Sequence, residues 1–215
     1  MYHFSYYKEH DKKVLWQFME DHPFAFVTGS DADGNQVATQ VPILIEENGG
    51  EWYLRGHIMR NTDHYKAFKK NSKVLAVFTG PHSYVSASWY TNPHMGSTWN
   101  YMSVHIKGNM KFLTKEELIT FMKKLTLKYE DYNTNSPTFY DNLPNDFINK
   151  MLPAIDAFEI KVEELENVFK LSQNRDEESY TNIIKQLNKR GGKSKELAKE
   201  MQKRISQLFV KKRNN

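Results

Sequence analysis

The stretch FAFVTGSDADGNQVATQVPILIEENGGEWYLRGH, from Phe24 to His57, limits the possible folds more than any other part of the chain. Three runs rich in β-branched and aromatic residues are broken by turn clusters at Asp31 to Gly34 and Glu47 to Gly50. Short strands joined by Asp-Gly and Gly-Gly turns pair with their sequence neighbours, so the stretch predicts an antiparallel meander. Such a sheet needs a cover. Asp11 is placed to cap a helix in which Val14, Leu15, Phe18 and Met19 recur at helical spacing, and His22-Pro23 ends it.

The β pattern continues. Thr62 or Asp63 starts a short helix with Tyr65 and Phe68 on one side, and KVLAVFTG follows as an apolar run fit for a buried strand. SYVSASWY and TWNYMSVHIKGNMKFL read as two more strands. In the first, Tyr84, Ser86, Ser88 and Tyr90 share one face and Val85, Ala87 and Trp89 the other. Thr114 and Glu117 form a capping box before a helix whose stripe is Leu118, Phe121, Met122 and Leu125. A shorter helix near NDFINKMLPAI precedes one strand over AFEIKVEELENVFKLSQN. The last part, beyond a Gly191-Gly192 break, reads as a single amphipathic helix striped by Leu197, Met201, Ile205 and Leu208. At least six strands with flanking helices are expected, as one domain over 1–178 and a basic helical extension over 179–215.

The chain has 215 residues and no cysteine, which excludes disulfides, thiolate metal sites and a cysteine nucleophile. The opening segment lacks the layout of a signal peptide, and no apolar run approaches the ~20 residues a membrane span needs. A cytoplasmic protein away from the membrane is the simplest expectation. Charge is uneven: from Ile183 onward eleven Lys and Arg face two Glu, a net +9, while 19 basic and 24 acidic residues leave the remainder at −5. A basic end on an acidic body fits contact with nucleic acid, although a solvated helix face is the commoner meaning of such a run.

The usual hydrolase and nucleotide-binding fingerprints are missing. The histidines stand at irregular intervals without carboxylates at ligand spacing, so no metal site is expected. Ser86 and Ser88 have no positioned base, and serines on a polar strand face more often hydrogen-bond a ligand or water. In YLRGHIMRNTDHYKAF, Arg60 and Asn61 fall beside a helix N-terminus, where backbone N–H groups and a guanidinium seat a phosphate. A surface arginine ahead of an ordinary cap has the same pattern. Trp89-Tyr90 and Trp99-Asn100-Tyr101 flank the polar loop TNPHMGS, and such tryptophans suit either a core or a planar, partly polar ligand such as a flavin.

Taken in order, HPFAFVTG…DGNQVATQVPIL, LRGHIMRN, FTGPHSYVSASWY, STWNYMSVHIKG and FKLSQN resemble the PaiB family of FMN-binding negative transcriptional regulators, from about Tyr2 to Met201. The resemblance implies a six-stranded antiparallel split β-barrel of the pyridoxamine-phosphate-oxidase-like class, built as a homodimer with flavin sites at the interface. It places the FMN phosphate near Arg60 and Asn61 after the strand ending at His57, with Thr39 and Gln40 on the neighbouring strand. Ser88, Trp89, Trp99 and Asn100 then meet the ring or ribityl chain, with Gln173 and Asn174 nearby. Where such relatives read Ala-Thr-His-Leu-Pro, this chain has Ala38-Thr39-Gln40-Val41-Pro42, so a histidine mechanism at that spot is removed while a hydrogen-bonding amide remains. A regulator or redox sensor is the first functional expectation. An NAD(P)H-linked FMN oxidoreductase is the second, and a barrel holding haem or another planar ligand the third.

Overall fold

The computed structural model describes residues 1–209. The strands are β1 (Phe24–Ser30), β2 (Gln36–Pro42), β3 (Leu44–Asn48), β4 (Glu51–Met59), β5 (Lys73–Val85), β6 (Thr98–Phe112), β7 (Ile155–Lys161) and β8 (Glu164–Lys170). The helices are α1 (Lys12–Asp21), α2 (Asp63–Lys70), α3 (Lys115–Tyr129), α4 (Asn145–Met151), α5 (Glu177–Arg190), α6 (Gly192–Gln202) and α7 (Ile205–Phe209). The sheet runs β2-β1-β5-β6-β7-β4-β3, with β8 also paired to β6. Pairs β1–β2, β1–β5, β3–β4, β4–β7 and β6–β7 are antiparallel.

Among the described residues eight strands form, meeting the expected minimum of six and exceeding the six of the barrel that the resemblance implies. The run ending in PILIEE is cut because Ile43 donates its N–H to Pro23 O at 2.8 Å instead of to the ladder. AFEIKVEELENVFK is cut at a corner where Val162 N–H bonds Trp52 O and Glu163 N–H bonds Lys107 O. Conversely, KVLAVFTG and SYV form one strand, β5. It stops at Val85, so Ser86 to Tyr90 is not the strand end the alternation predicts. Ser86 Oγ accepts from Ser88 N–H at 3.3 Å and Ala87–Trp89 closes into a 3-10 turn, a local side-chain bond winning over the ladder.

The chain divides into two compact units. The central unit is Met19–Phe78 and His105–Leu165; the terminal unit gathers Met1–Phe18, Thr79–Val104 and the residues from Glu166 on. In the central unit the meander appears as read. Asp31 accepts from Asp33 and Asn35 N–H at the first turn, and the β3–β4 hairpin turns on Gly49 and Gly50, both at positive φ. Ala25, Val27, Leu54, Phe68, Phe78, Phe158 and Ile160 are buried there. Helix α3 lays Leu118, Phe121 and Leu125 against Leu44, Ile155 and Ala157. Its capping box forms as expected, Thr114 accepting from Glu117 N–H and Glu117 from Thr114 N–H. Thr114→Ala removes one of those bonds and is expected to lower stability by about 1 kcal/mol, read from urea unfolding.

In the terminal unit Tyr180, Ile183, Leu187, Leu197, Ala198 and Met201 are buried where α5 packs on α6. Gly191 and Gly192, at φ 75° and 50°, make the turn between them. The final segment is not one helix. Arg204 is drawn to Glu200 at 3.1 Å and over the Phe169 ring, its N–H shifts to Met201 O, and α6 ends before α7 begins. Val14, expected on the buried stripe of α1, is exposed, whereas Leu15, Phe18 and Met19 are buried. The last basic residues, Lys211, Lys212 and Arg213, lie outside the described residues.

Candidate functional site

Five of the residues singled out above, Thr39, Gln40, His57, Arg60 and Asn61, belong to the central unit. Thr39 and Gln40 stand on β2 opposite Val27 and Phe26, with Gln40 exposed. Beyond β4 the chain turns sharply: Asn61 adopts φ 67°, and Thr62 Oγ accepts from Tyr65 N–H to cap α2. The left-handed Asn61 and the capped helix start bring Arg60 beside the N-terminus of α2. Arg60 Nη2 donates to Asp156 Oδ1 at 2.6 Å, and Tyr65 hydroxyl donates to Asp156 Oδ2 at 2.6 Å. The carboxylate thus holds one guanidinium nitrogen and raises the arginine further above its ordinary range. Nε and Nη1 have no partner among the described residues, and the Arg60 side chain is 42% exposed. Lys69 stands over the Tyr65 ring at 5.1 Å, adding a second positive charge. The unpaired nitrogens of the anchored arginine, with Lys69 nearby, form a donor set that fits a phosphate, while the first N–H groups of α2 are taken by Asp63 and Thr62.

Asp156 and Tyr65, which hold Arg60 in place, were not singled out in the sequence. The signal was available for Asp156: an acid between Ile155 and Ala157-Phe158 must have a partner when buried.

His57 lies on β4 beside the Phe121 ring of α3, with its Nδ1 buried and lacking a hydrogen bond. Burial lowers its pKa below the ordinary 6.5. The unfolded chain then binds the proton at a higher pH than the folded one, so stability is complete above about pH 6.5 and falls as pH drops below it. His57→Phe is expected to flatten that fall between pH 6.5 and 5.5 in urea-unfolding midpoints, relative to the parent chain.

Ser88, Trp89, Trp99, Asn100 and Gln173 belong to the terminal unit, as does Asn174, which is exposed. Ser88 is exposed and hydrogen-bonds Ser86 Oγ at 2.8 Å. Trp89 carries the Arg190 guanidinium over its ring at 4.8 Å, while Arg190 donates to Ser83 Oγ and Tyr84 O. Trp99 is 50% exposed, donates its indole N–H to His82 Nδ1 at 3.2 Å and lies near the exposed Tyr84 ring. These three rings make an aromatic face that water still reaches. Asn100 is different: it is wholly buried, with its amide bonded to Ser172 Oγ in both directions and to Met201 Sδ. Gln173 folds back to bond Phe169 O and Leu171 N–H. As placed, both amides hold the chain rather than face outward.

Solved proteins share this fold at low identity. The FAD and haem binding protein from Mycobacterium smegmatis matches with a TM-score of 0.56 at 16% identity, over 75% of this chain and 72% of that one. A conserved hypothetical protein from Mycobacterium tuberculosis matches with a TM-score of 0.56 at 9% identity, over 79% and 91%. The flavocytochrome Anf3 from Azotobacter vinelandii gives 0.52 at 15%, over 84% and 78%. Residues 1–164 match the family described as "Putative FMN-binding domain", and the chain belongs to it. It is also 33% identical over 206 residues to the protease synthase and sporulation protein PAI 2 of Bacillus subtilis, covering 95% of this chain and 98% of that protein.

Proposed function

We propose that the chain is an FMN-binding flavoprotein, a homodimer with the split-barrel form of its class, that acts as a redox-responsive transcriptional regulator. The observation that carries the cofactor reading is the Arg60–Asn61–Thr62 turn, whose guanidinium is fixed by Asp156 yet keeps two nitrogens uncommitted. A monophosphate supplies the acceptor such a turn lacks. FMN brings the redox chemistry; the protein's part is to bind the phosphate and orient the ring. Likeness to a FAD- and haem-binding protein and to a flavocytochrome supports a planar redox ligand as its class.

The regulatory part rests on α5 and α6. Lys185 and Lys189 stand one turn apart on α5, Lys195 and Lys199 one turn apart on α6, with Lys193 in the first turn of α6. All five are exposed, and none has an ion-pair partner among the described residues. Exposed, unpaired lysines on two consecutive helices fit the phosphates of duplex DNA. Replacing Lys195 and Lys199 by glutamine is expected to weaken duplex binding and reduce its salt slope by roughly two. Retention by the substituted chain equal to the parent at every salt concentration would refute DNA contact through these lysines.

The absorbance spectrum of the purified protein after adding FMN, run beside sedimentation equilibrium, tests the remainder. Oxidised-flavin bands that travel with a dimer are expected. A colourless protein that ignores FMN would sink the cofactor reading, and a monomer would sink the dimer. Anaerobic NAD(P)H addition separates sensor from reductase: rapid catalytic bleaching of the flavin would favour the oxidoreductase.

A further inference from the structure

The turn after β8, KLSQNR from Lys170 to Arg175, carries two half-buried cations that no carboxylate among the described residues pairs with. Lys170 Nζ donates to Thr98 Oγ1 and faces the Tyr2 ring at 5.5 Å. Arg175 lies over the Tyr90 ring with its Cζ 4.3 Å from the centroid, and its Nη1 meets Met95 Sδ at 3.1 Å, a weak acceptor. Neither pairs with a carboxylate among the described residues. Asp176, next in sequence to Arg175, is committed: it accepts from Ser179 N–H and Oγ and from Thr91 Oγ1. Half-buried lysine and arginine side chains are ordinarily paired, because an unpaired charge pays its desolvation without return.

Two further features mark the place. The Tyr90 hydroxyl, on the ring Arg175 covers, is buried without a hydrogen-bond partner, in a residue only 6% exposed. The turn itself is fixed before any ligand arrives. Ser172 is held at φ 61° by its bonds to Asn100, Gln173 clamps Phe169 and Leu171, and Arg175 N–H bonds Ser172 O. Left-handed backbone at a non-glycine residue is retained where the surroundings enforce it, often at ligand clamps.

We propose that Lys170 and Arg175 form an anion subsite that takes a phosphate or carboxylate group of a small molecule, with the Tyr90 hydroxyl beside it. Asn100, Ser172 and Gln173 are positioning residues for this subsite, since they hold the turn and not the ligand. The subsite stands apart from the Arg60 reading and does not depend on it. Burial first, and then the Arg175 charge, lower the Lys170 pKa, so a bound anion should raise it again.

The test uses the full chain with Arg60→Met, which removes the other phosphate seat. The Lys170 Cε resonance is titrated with pH in the presence of inorganic phosphate, and separately of acetate. One of the two anions is expected to move the Lys170 titration to higher pH, and which one does so tells phosphate from carboxylate. Arg175→Gln, in the same background, should weaken that anion at least tenfold, while Arg175→Lys should recover part of the loss. A Lys170 titration that neither anion moves, or an Arg175→Gln chain that binds as tightly as its parent, would overturn the proposal. Because Arg60 is absent throughout, such a failure leaves the FMN reading untouched.

Discussion

Gly108→Ala should leave the protein largely unfolded or insoluble. An ideal Cβ at Gly108 would meet Lys161 O at 2.1 Å and Ile160 Cγ2 at 2.9 Å. The first contact is backbone, fixed where β6 passes the corner after β7, and Glu163 N–H bonds Lys107 O at 3.0 Å in the same place. No rotamer change relieves it; the strands must separate. Overpacking a core that can adjust costs about 1–3 kcal/mol, and a clash with a paired strand exceeds that range. With whole domains stable by only about 5–15 kcal/mol, such a loss is close to the entire margin. Gly96→Ala is the control, since nothing lies within 4 Å of its Cβ position. Urea unfolding followed by far-UV circular dichroism decides. A Gly108→Ala midpoint equal to that of Gly96→Ala would contradict the packing described for the central unit.

The second large effect is on ligand affinity. Arg60→Met should raise the Kd for FMN by at least tenfold while leaving the fold intact. A hydrogen bond to a charged group contributes about 1.5–3 kcal/mol, and the side chain's partial exposure places Arg60 at the lower end. Asp156 keeps the Tyr65 hydroxyl as a donor in the variant, so the carboxylate is not stranded. Arg60→Lys should fall between the two, because an ammonium keeps the charge and loses the planar fork that can serve Asp156 and a phosphate together. Fluorescence titration with FMN measures all three chains. Equal affinity in wild type and Arg60→Met would remove the phosphate from this turn.

Local signals carried much of the fold. The Asp31 and Gly49-Gly50 turns, the Thr114 capping box and the Thr62 cap are each set by a few adjacent residues, and each appears where the sequence puts it. The errors arise where a distant backbone group decides. Ile43 leaves the ladder for Pro23 O, and the chain turns after β7 because Trp52 and Lys107 carbonyls receive Val162 and Glu163. No run of alternating residues encodes those partners. Ser86 is the reverse case, a local hydroxyl that beats a convincing strand pattern.

Site legibility follows the same division. The local setting of Arg60 and Asn61 could be read because a strand end, a left-handed residue and a cap all lie within a few residues. The resemblance implies a ligand contact for Asn100, and what the sequence does not show is that Ser172, 72 residues away, bonds its amide. The partners that give Arg60, Trp99 and Trp89 their settings, Asp156, His82 and Arg190, are likewise remote in sequence. Lys170 and Arg175 passed unremarked because a basic pair in a loop looks like solvated surface until its burial is known.

The most direct measurement of the central claim compares FMN with riboflavin, which lacks the phosphate, on wild type and Arg60→Met. The predicted result is that wild type binds FMN at least tenfold more tightly than riboflavin and that Arg60→Met binds the two alike. Riboflavin bound as tightly as FMN by the wild type, or an undiminished preference for FMN in Arg60→Met, would contradict it.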